Sequence, residues 1–219
     1  MKRTQKLSWL FAILLLLGSS TRSFGQTLKD FFGSSEAATV YLGIDFTKAK
    51  LINSPTANPM DIKNRIYRSI NDVVVNEPKK FDFMGAFHKT SVSTDLSAVH
   101  ARNEKINAEE IVSSKSDDFN RLKEGDITTV VKALNISSKK GVGILFVFEA
   151  MKSIEKSDDY ASVWTVLVDL QTKKVLLTER FEVKAKGLGF RNTWASAIKS
   201  TLDEIEKRKY EAWKDKYGS

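Results

Sequence analysis

Three β-strand patterns and one long helical pattern follow each other almost without interruption between residues 141 and 215, and this order constrains the fold more than any other feature. Strands are predicted at 142–151, 161–170 and 174–185, and a helix at 192–213. The first strand is apolar at nearly every position, which is typical of a central strand buried on both faces. The turns between the strands are of hairpin length. The pattern predicts a three-strand antiparallel meander with the helix lying across it.

Two further elements precede this unit. Residues 39–46 alternate between apolar and polar side chains, as a strand with one buried face does. Asn58 as N-cap, followed by Pro59, predicts an amphipathic helix over 59–75. We therefore expect an α+β fold, with a mostly antiparallel sheet and a carboxy-terminal three-strand meander, covered by two or three helices.

The first 25 residues have the pattern of a cleavable signal peptide. A basic start precedes an apolar run of about ten residues, which is too short to span a bilayer. Ser23-Phe24-Gly25 then offers the small-x-small pattern of a cleavage site. We expect export to the periplasm or beyond, with no transmembrane segment after cleavage; a permanent amino-terminal anchor is the alternative. Because the chain has no cysteine, we do not expect a lipoprotein.

The remaining chain is predicted to form one domain at 37–215, after a flexible lead at 26–36. A stretch at about 89–124 has little periodicity, and we interpret it as a poorly defined insertion. Cleavage after Gly25 would lower the formal net charge from +8 to +4, an ordinary value that gives no reason to expect a nucleic-acid partner. The absence of cysteine excludes thiol nucleophiles, cysteine metal sites and disulfides, so apolar burial must hold the fold.

The order of elements and the turn of the last hairpin resemble a type of exported bacterial domain. The similar segment spans about 137–205, with Gly141 and Gly143 at the start of the central strand and the hairpin sequence Asp-Leu-Gln-Thr-Lys-Lys-Val-Leu at 169–176. It is similar to the amino-terminal domain of TolB and to the periplasmic domain of the curli-secretion lipoprotein. Those domains carry Asp-x-x-Thr-Gly there, whereas Lys173 stands at the glycine position here. The resemblance implies an exported domain that acts through partners, although we expect the nearest relatives to form another small exported family of Gram-negative bacteria.

No catalytic, cofactor or metal site is predicted. His88 and His100 are the only histidines, with Asp82 and Asp95 nearby, but they lack the spacing of known metal motifs. A glycine pair before the last helix lacks the third glycine of a dinucleotide fingerprint. Asp45 is expected to face solvent on its strand, and a carboxylate in a cleft is the alternative.

The end of the last helix interleaves basic and aromatic residues. We predict that Lys209, Tyr210, Trp213 and Lys214, together with Arg180 on the outer side of the third meander strand, contact an envelope protein or a membrane surface. The alternative is that Trp213 packs against its own domain. The sequence does not indicate an oligomeric state.

These observations predict a non-enzymatic periplasmic or cell-envelope binding or assembly module, and they do not specify its ligand. The alternative is an envelope hydrolase or metal-dependent enzyme that uses Asp45 or Asp82 together with His88.

Overall fold

The structure, a computed structural model, describes residues 27–54, 57–136, 140–153 and 159–218. The predicted signal peptide at 1–25 lies outside the described residues.

Within the described residues, seven strands share one sheet: β1 Thr39–Asp45, β2 Lys50–Ile52, β3 Ser93–Thr94, β4 Val112–Ser113, β5 Val142–Lys152, β6 Asp159–Asp169 and β7 Val175–Ala185. The helices are α1 Leu28–Gly33, α2 at 59–76, α3 Phe83–Ala86, α4 Ser97–Asn103, α5 Glu124–Lys132 and α6 at 190–217. Single π-helical turns interrupt α2 at Ile62–Ile66 and α6 at Ile205–Lys209, and 3-10 turns lie at Ala108–Glu110 and Ser116–Asn120.

Strand β5 is the centre of the sheet. One of its edges pairs in parallel with β1 over 142–147 and then with β2 over 150–152. Its other edge pairs antiparallel with β6, which in turn pairs antiparallel with β7. The short strands β3 and β4 extend the sheet beyond β1 and β2, again in parallel.

The predicted α+β class with a mostly antiparallel sheet is therefore wrong. Four of the six strand pairings are parallel, and the domain is an α/β arrangement with helices on both faces of the sheet. The error has a physical cause, because periodicity and turn length show only how neighbouring strands can pair. The parallel partners of β5 lie about a hundred residues earlier in the chain, beyond crossover connections that no local pattern reveals.

Helices α2 and α6 cover one face of the sheet. The Asn58 side chain accepts hydrogen bonds from the backbone N–H groups of the first turn of α2, as its N-cap position predicts. The Tyr67 ring of α2 stacks on Phe46 with a centroid separation of 4.1 Å. Trp194 and Ile198 of α6 belong to the same buried cluster. Both helices therefore contribute to one core.

Helices α4 and α5 cover the opposite face. Val99 of α4, together with Ile127 and Val131 of α5, forms a second buried cluster with Leu145 and Val147 of β5. The almost entirely apolar sequence of β5 fits this double cover, since a strand between two helical layers has no face in contact with water.

Two buried asparagines replace a neighbouring strand along the outer edge of β1. The Asn71 side chain accepts from the backbone N–H of Ile44 at 2.8 Å and donates to the Ile44 carbonyl at 3.1 Å. Asn103 accepts from the backbone N–H of Phe46 at 2.9 Å and donates to the Ile44 carbonyl at 2.9 Å. These bonds satisfy backbone groups that the two-residue strand β3 does not reach, and they attach α2 and α4 to the sheet.

The segment at 26–36, predicted to be a flexible lead, contains helix α1, which packs against the domain. Phe31 and Phe32 are buried, and Phe32 makes an edge contact with Tyr210 at a centroid separation of 5.6 Å. The Lys89 ammonium donates to the carbonyls of Phe31 and Ser34, at 2.5 and 2.9 Å. Burial lowers the pKa of Lys89 to about 8.

The stretch at about 89–124, interpreted as an insertion, contains β3, α4, β4 and both 3-10 turns. Its helix α4 contributes to the core, so part of this stretch belongs to the body of the domain. Among the described residues, no helix is both long enough and apolar enough to cross a membrane.

Candidate functional site

A cleft of about 780 Å³ lies at the carboxyl ends of β2 and β5, where α2 and α6 begin. Asn53 and Ser54 follow β2, Ser153 follows β5, and residues 188–194 lead from β7 into α6. Parallel strands end at the same edge of a sheet, and the helices that follow them begin there. In α/β proteins, ligands bind at this edge.

Polar and apolar residues both line the cleft. Its amide and hydroxyl groups come from Asn53, Ser54, Asn58, Ser153, Asn192 and Thr193. The Ser54 and Ser153 hydroxyl oxygens are 3.5 Å apart, which brings the ends of β2 and β5 together. The cleft volume falls within the roughly 300–1,000 Å³ range of small-molecule sites.

The charged groups of the cleft balance each other. Arg65 donates to both oxygens of Asp61, each at 2.8 Å, in a bidentate pair along α2. This pairing lowers the pKa of Asp61, which therefore remains a carboxylate at neutral pH. Arg191 and Asp159 add one further charge of each sign to the lining. Two cations thus face two carboxylates.

The loop that enters α6 forms an apolar lip on the cleft. The Leu188 side chain is 92% exposed, which is unusual for a large apolar residue. Phe190 contacts Trp194 edge-to-face at a centroid separation of 5.7 Å. Gly189 turns the chain here with a φ of 80°, a left-handed conformation that favours glycine. The cleft therefore combines hydrogen-bonding side chains with apolar surface, part of which is this lip.

The sequence predicts a solvent-facing Asp45, and this is wrong. Its side chain is fully buried, and its Oδ2 accepts from Arg102 Nε at 2.6 Å. Its Oδ1 accepts from the backbone N–H of Thr47 at 2.8 Å and from the Thr47 hydroxyl at 2.5 Å. The carboxylate is buried because β1 lies between two layers, and the ion pair joins the end of β1 to α4.

Glu149 is a second buried carboxylate, and the sequence interpretation missed it. Oε2 accepts from the Ser162 hydroxyl at 3.0 Å and from Trp164 Nε1 at 2.9 Å, while Oε1 accepts from the backbone N–H of Leu122. Arg180 lies 3.9 Å from the same carboxylate, so this predicted partner-binding residue also forms part of a buried network. A glutamate inside an otherwise apolar strand was the signal that could have revealed it.

The aromatic residues predicted to bind a partner are packed within the domain. Tyr210 and Trp213 are 3% and 5% exposed. Trp213 Nε1 donates to Glu179 Oε2 at 2.7 Å, and Lys209 forms an ion pair with the same carboxylate. Lys214 is exposed. Trp213 therefore packs against its own domain, as the alternative in the sequence analysis stated. A partner contact at these residues stays a prediction.

His88 and Asp82, two residues of the predicted enzyme alternative, contact different groups in the structure. His88 stacks on Tyr210 with a centroid separation of 3.9 Å and lies 3.7 Å from the Glu211 carboxylate. Asp82 accepts from the backbone N–H of Gly85 at 2.8 Å at the start of α3. In the part of the chain that the structure describes, no three His, Asp or Glu side chains are grouped so that they could hold a metal ion.

The fold and the cleft define an α/β domain with a ligand-sized cleft at the carboxyl ends of parallel strands.

No protein-family model matches the chain. No curated protein matches it either. One similar solved structure is a dodecamer of a PelC variant from Paraburkholderia phytofirmans, with a TM-score of 0.34 and 9% identity over 84% of this chain and 95% of that chain. Another is a putative neuraminyllactose-binding hemagglutinin homolog from Helicobacter pylori, with a TM-score of 0.32 and 12% identity over the same shares. Likeness at these TM-scores assigns neither a family nor a function, and the resemblance to the TolB type stays a prediction.

Proposed function

We propose that this protein is a non-enzymatic binding module of the cell envelope, and that it holds a neutral polyhydroxylated ligand, such as a saccharide unit, in the cleft between α2 and α6. The observation that carries the proposal is the cleft itself, with a volume of about 780 Å³ at the edge of the sheet where α/β proteins bind ligands.

The chemistry of the lining suggests the class of ligand. Two arginines and two carboxylates leave no net charge to attract an ion. Amide and hydroxyl groups both donate and accept hydrogen bonds, as the hydroxyl groups of a sugar also do. Phe190 and Leu188 offer an apolar edge to the C–H face of a sugar ring. A neutral sugar satisfies all three features, whereas a charged ligand of either sign would leave a like charge facing it.

The pairing of Asp61 favours a binding role for this carboxylate over proton donation. Arg65 occupies both oxygens of Asp61 and lowers its pKa, which makes Asp61 a poor general acid at neutral pH. The assignment to the envelope has a different basis, the signal-peptide pattern of the first 25 residues. Mass spectrometry of the natively produced protein tests that part, because an intact Met1 in the membrane fraction would contradict export and cleavage.

Saturation-transfer NMR and calorimetry with glucose, N-acetylglucosamine and maltose test the ligand class. We expect at least one of these sugars to bind, and Arg191→Ala to weaken that binding by roughly threefold or more, through the loss of a charged hydrogen-bond donor. Arg208→Ala is the matched control, since Arg208 also lies on α6 but does not line the cleft and pairs with Glu204.

Two results would contradict the proposal. One is the absence of binding to every sugar in the panel. The other is sugar binding that Arg191→Ala and Asp159→Asn leave unchanged, because this would place the sugar outside the cleft.

A further inference from the structure

A second pocket, with a volume of about 220 Å³, shares no lining residue with the cleft. The turn between β1 and β2, the 3-10 turn at Ala108–Glu110 and the segment that leads into α5 form its wall. Its polar and charged lining residues are Thr47, Lys48, Lys50, Asn107, Glu110 and Arg121. Three cations thus line this pocket beside one carboxylate, whereas the charges of the cleft balance each other.

Arg121 is held in place by backbone carbonyl groups. Its Nη1 donates to the carbonyls of Asp118 at 2.7 Å and of Glu149 at 3.1 Å, and its Nη2 donates to the carbonyl of Lys48. Among the described residues, no carboxylate pairs with this guanidinium, so its charge is not neutralised there. A guanidinium has five N–H donors. These contacts leave the Nε–H and one N–H of Nη2 without an acceptor in the part of the chain that the structure describes.

Lys50 brings a second cation to the same wall. Its ammonium donates to the backbone carbonyl of Glu110 at the end of the 3-10 turn, and its other N–H groups remain able to donate. The carbonyls that hold the two cations belong to Lys48 and Glu110, which both line the pocket, so the charged groups lie at the pocket wall. The Glu110 carboxylate is the opposing charge of the lining, and it accepts from Asn107 Nδ2 at 3.2 Å.

We propose that this pocket binds a phosphate group, either as free phosphate or as part of a phosphate ester, with Arg121 and Lys50 as its main contacts. Charged hydrogen bonds from arginine and lysine to phosphate oxygens are short and strong. Because backbone carbonyls already fix both cations, little side-chain ordering is needed when the anion binds. The volume is sufficient, since a cavity of about 150 Å³ holds benzene, which has more heavy atoms than a phosphate group.

The charge of the lining favours phosphate over a single carboxylate. Lys48, Lys50 and Arg121 against Glu110 give a formal excess of two positive charges. A phosphate monoester carries about −1.5 to −2 at pH 7, which is close to this excess. A single carboxylate would neutralise only half of it.

A titration with inorganic phosphate, followed by amide NMR at constant ionic strength, tests the proposal. We expect shifts at residues 47–50, 107–111 and 121–122. Lys50→Gln should weaken binding by about threefold to tenfold, through the loss of one charged donor. Glu110→Gln should strengthen binding by roughly twofold or more, because it removes the opposing charge. Lys115→Gln is the matched control, since it removes an equal charge from an exposed lysine that does not line the pocket.

Arg121→Lys is a second variant, which keeps the positive charge but loses the guanidinium fork. Thermal unfolding shows whether it folds, since Arg121 also holds three carbonyl groups. In the folded variant, phosphate binding should weaken by about threefold or more. Glycerol 3-phosphate distinguishes the two sources of the phosphate group. Tighter binding of this probe than of inorganic phosphate would identify an ester as the ligand, and equal or weaker binding would identify free phosphate.

Three results would overturn the proposal. The first is the absence of shifts at these amides with either probe at millimolar concentrations. The second is equal phosphate affinity in the native protein and in Lys50→Gln, which would place the anion elsewhere. The third is equal weakening in Lys50→Gln and Lys115→Gln, because this would show a response to net charge rather than a defined site.

Discussion

Replacing Glu149 with alanine is expected to lower the free energy of unfolding by about 3–5 kcal/mol, the usual cost of breaking a buried charged network. The carboxylate is fully buried on the central strand, where it accepts hydrogen bonds from Leu122, Ser162 and Trp164 and lies 3.9 Å from Arg180. Alanine would leave two N–H donors without an acceptor, and each unsatisfied buried donor costs roughly 1–3 kcal/mol. The Ser162 hydroxyl can rotate to another acceptor, so the two N–H groups alone account for roughly 2–6 kcal/mol, which brackets the stated estimate.

Urea unfolding at 25 °C, followed by circular dichroism, measures this loss. Glu182→Ala is the control, because Glu182 also lies near Arg180, at 3.6 Å, but its side chain is 49% exposed. Its removal should change stability by no more than about 1 kcal/mol. Amide exchange at Leu122 should also accelerate in Glu149→Ala, since that N–H loses its acceptor. A loss below about 1 kcal/mol in Glu149→Ala would refute the view that this network is buried and coupled.

Two further predictions concern the contacts of the first and the last helix, α1 and α6. Because the pKa of Lys89 falls to about 8 in the folded state from 10.5 in the unfolded state, the unfolded chain binds more protons between these values. Stability should therefore rise with pH above about 8, by up to roughly 3 kcal/mol, and Lys89→Met should remove this rise in urea titrations at several pH values; an identical pH dependence in both proteins would contradict the assignment. Trp213→Ala should lower stability by about 3–5 kcal/mol, because the ring is buried and its N–H donates to Glu179. Unchanged melting with lost recovery of an envelope partner would instead favour docking through Trp213.

Local features of the chain were predictable because their causes are local. Asn58 followed by Pro59 marked the start of α2, since a side-chain acceptor and a fixed φ act on the adjacent turn. The apolar run of β5 indicated a strand buried on both faces, and β5 is buried from Val142 to Met151. The helical period at 192–213 likewise corresponds to α6.

The polar groups of the core were not predictable in the same way. Asp45 pairs with Arg102, and Asn71 bonds to Ile44, across separations of 57 and 27 residues. A polar side chain in an apolar segment signals that it needs a partner, but it does not say which one. The residue that satisfies such a side chain depends on which helices pack against β1, and that packing depends on the whole fold.

The sheet and the cleft were decided by tertiary structure alone. The sequence determined the four long strands, β1, β5, β6 and β7, because periodicity records burial, but it did not reveal the short strands β2, β3 and β4. It did not determine that β1 and β2 pair in parallel along one edge of β5, since that choice depends on crossover connections and on helices packed over both faces. The cleft follows from the same choice. Asn53 and Arg191 are far apart in the chain, and they line one cleft only because parallel pairing brings the ends of β2 and β5 to the edge where α6 begins.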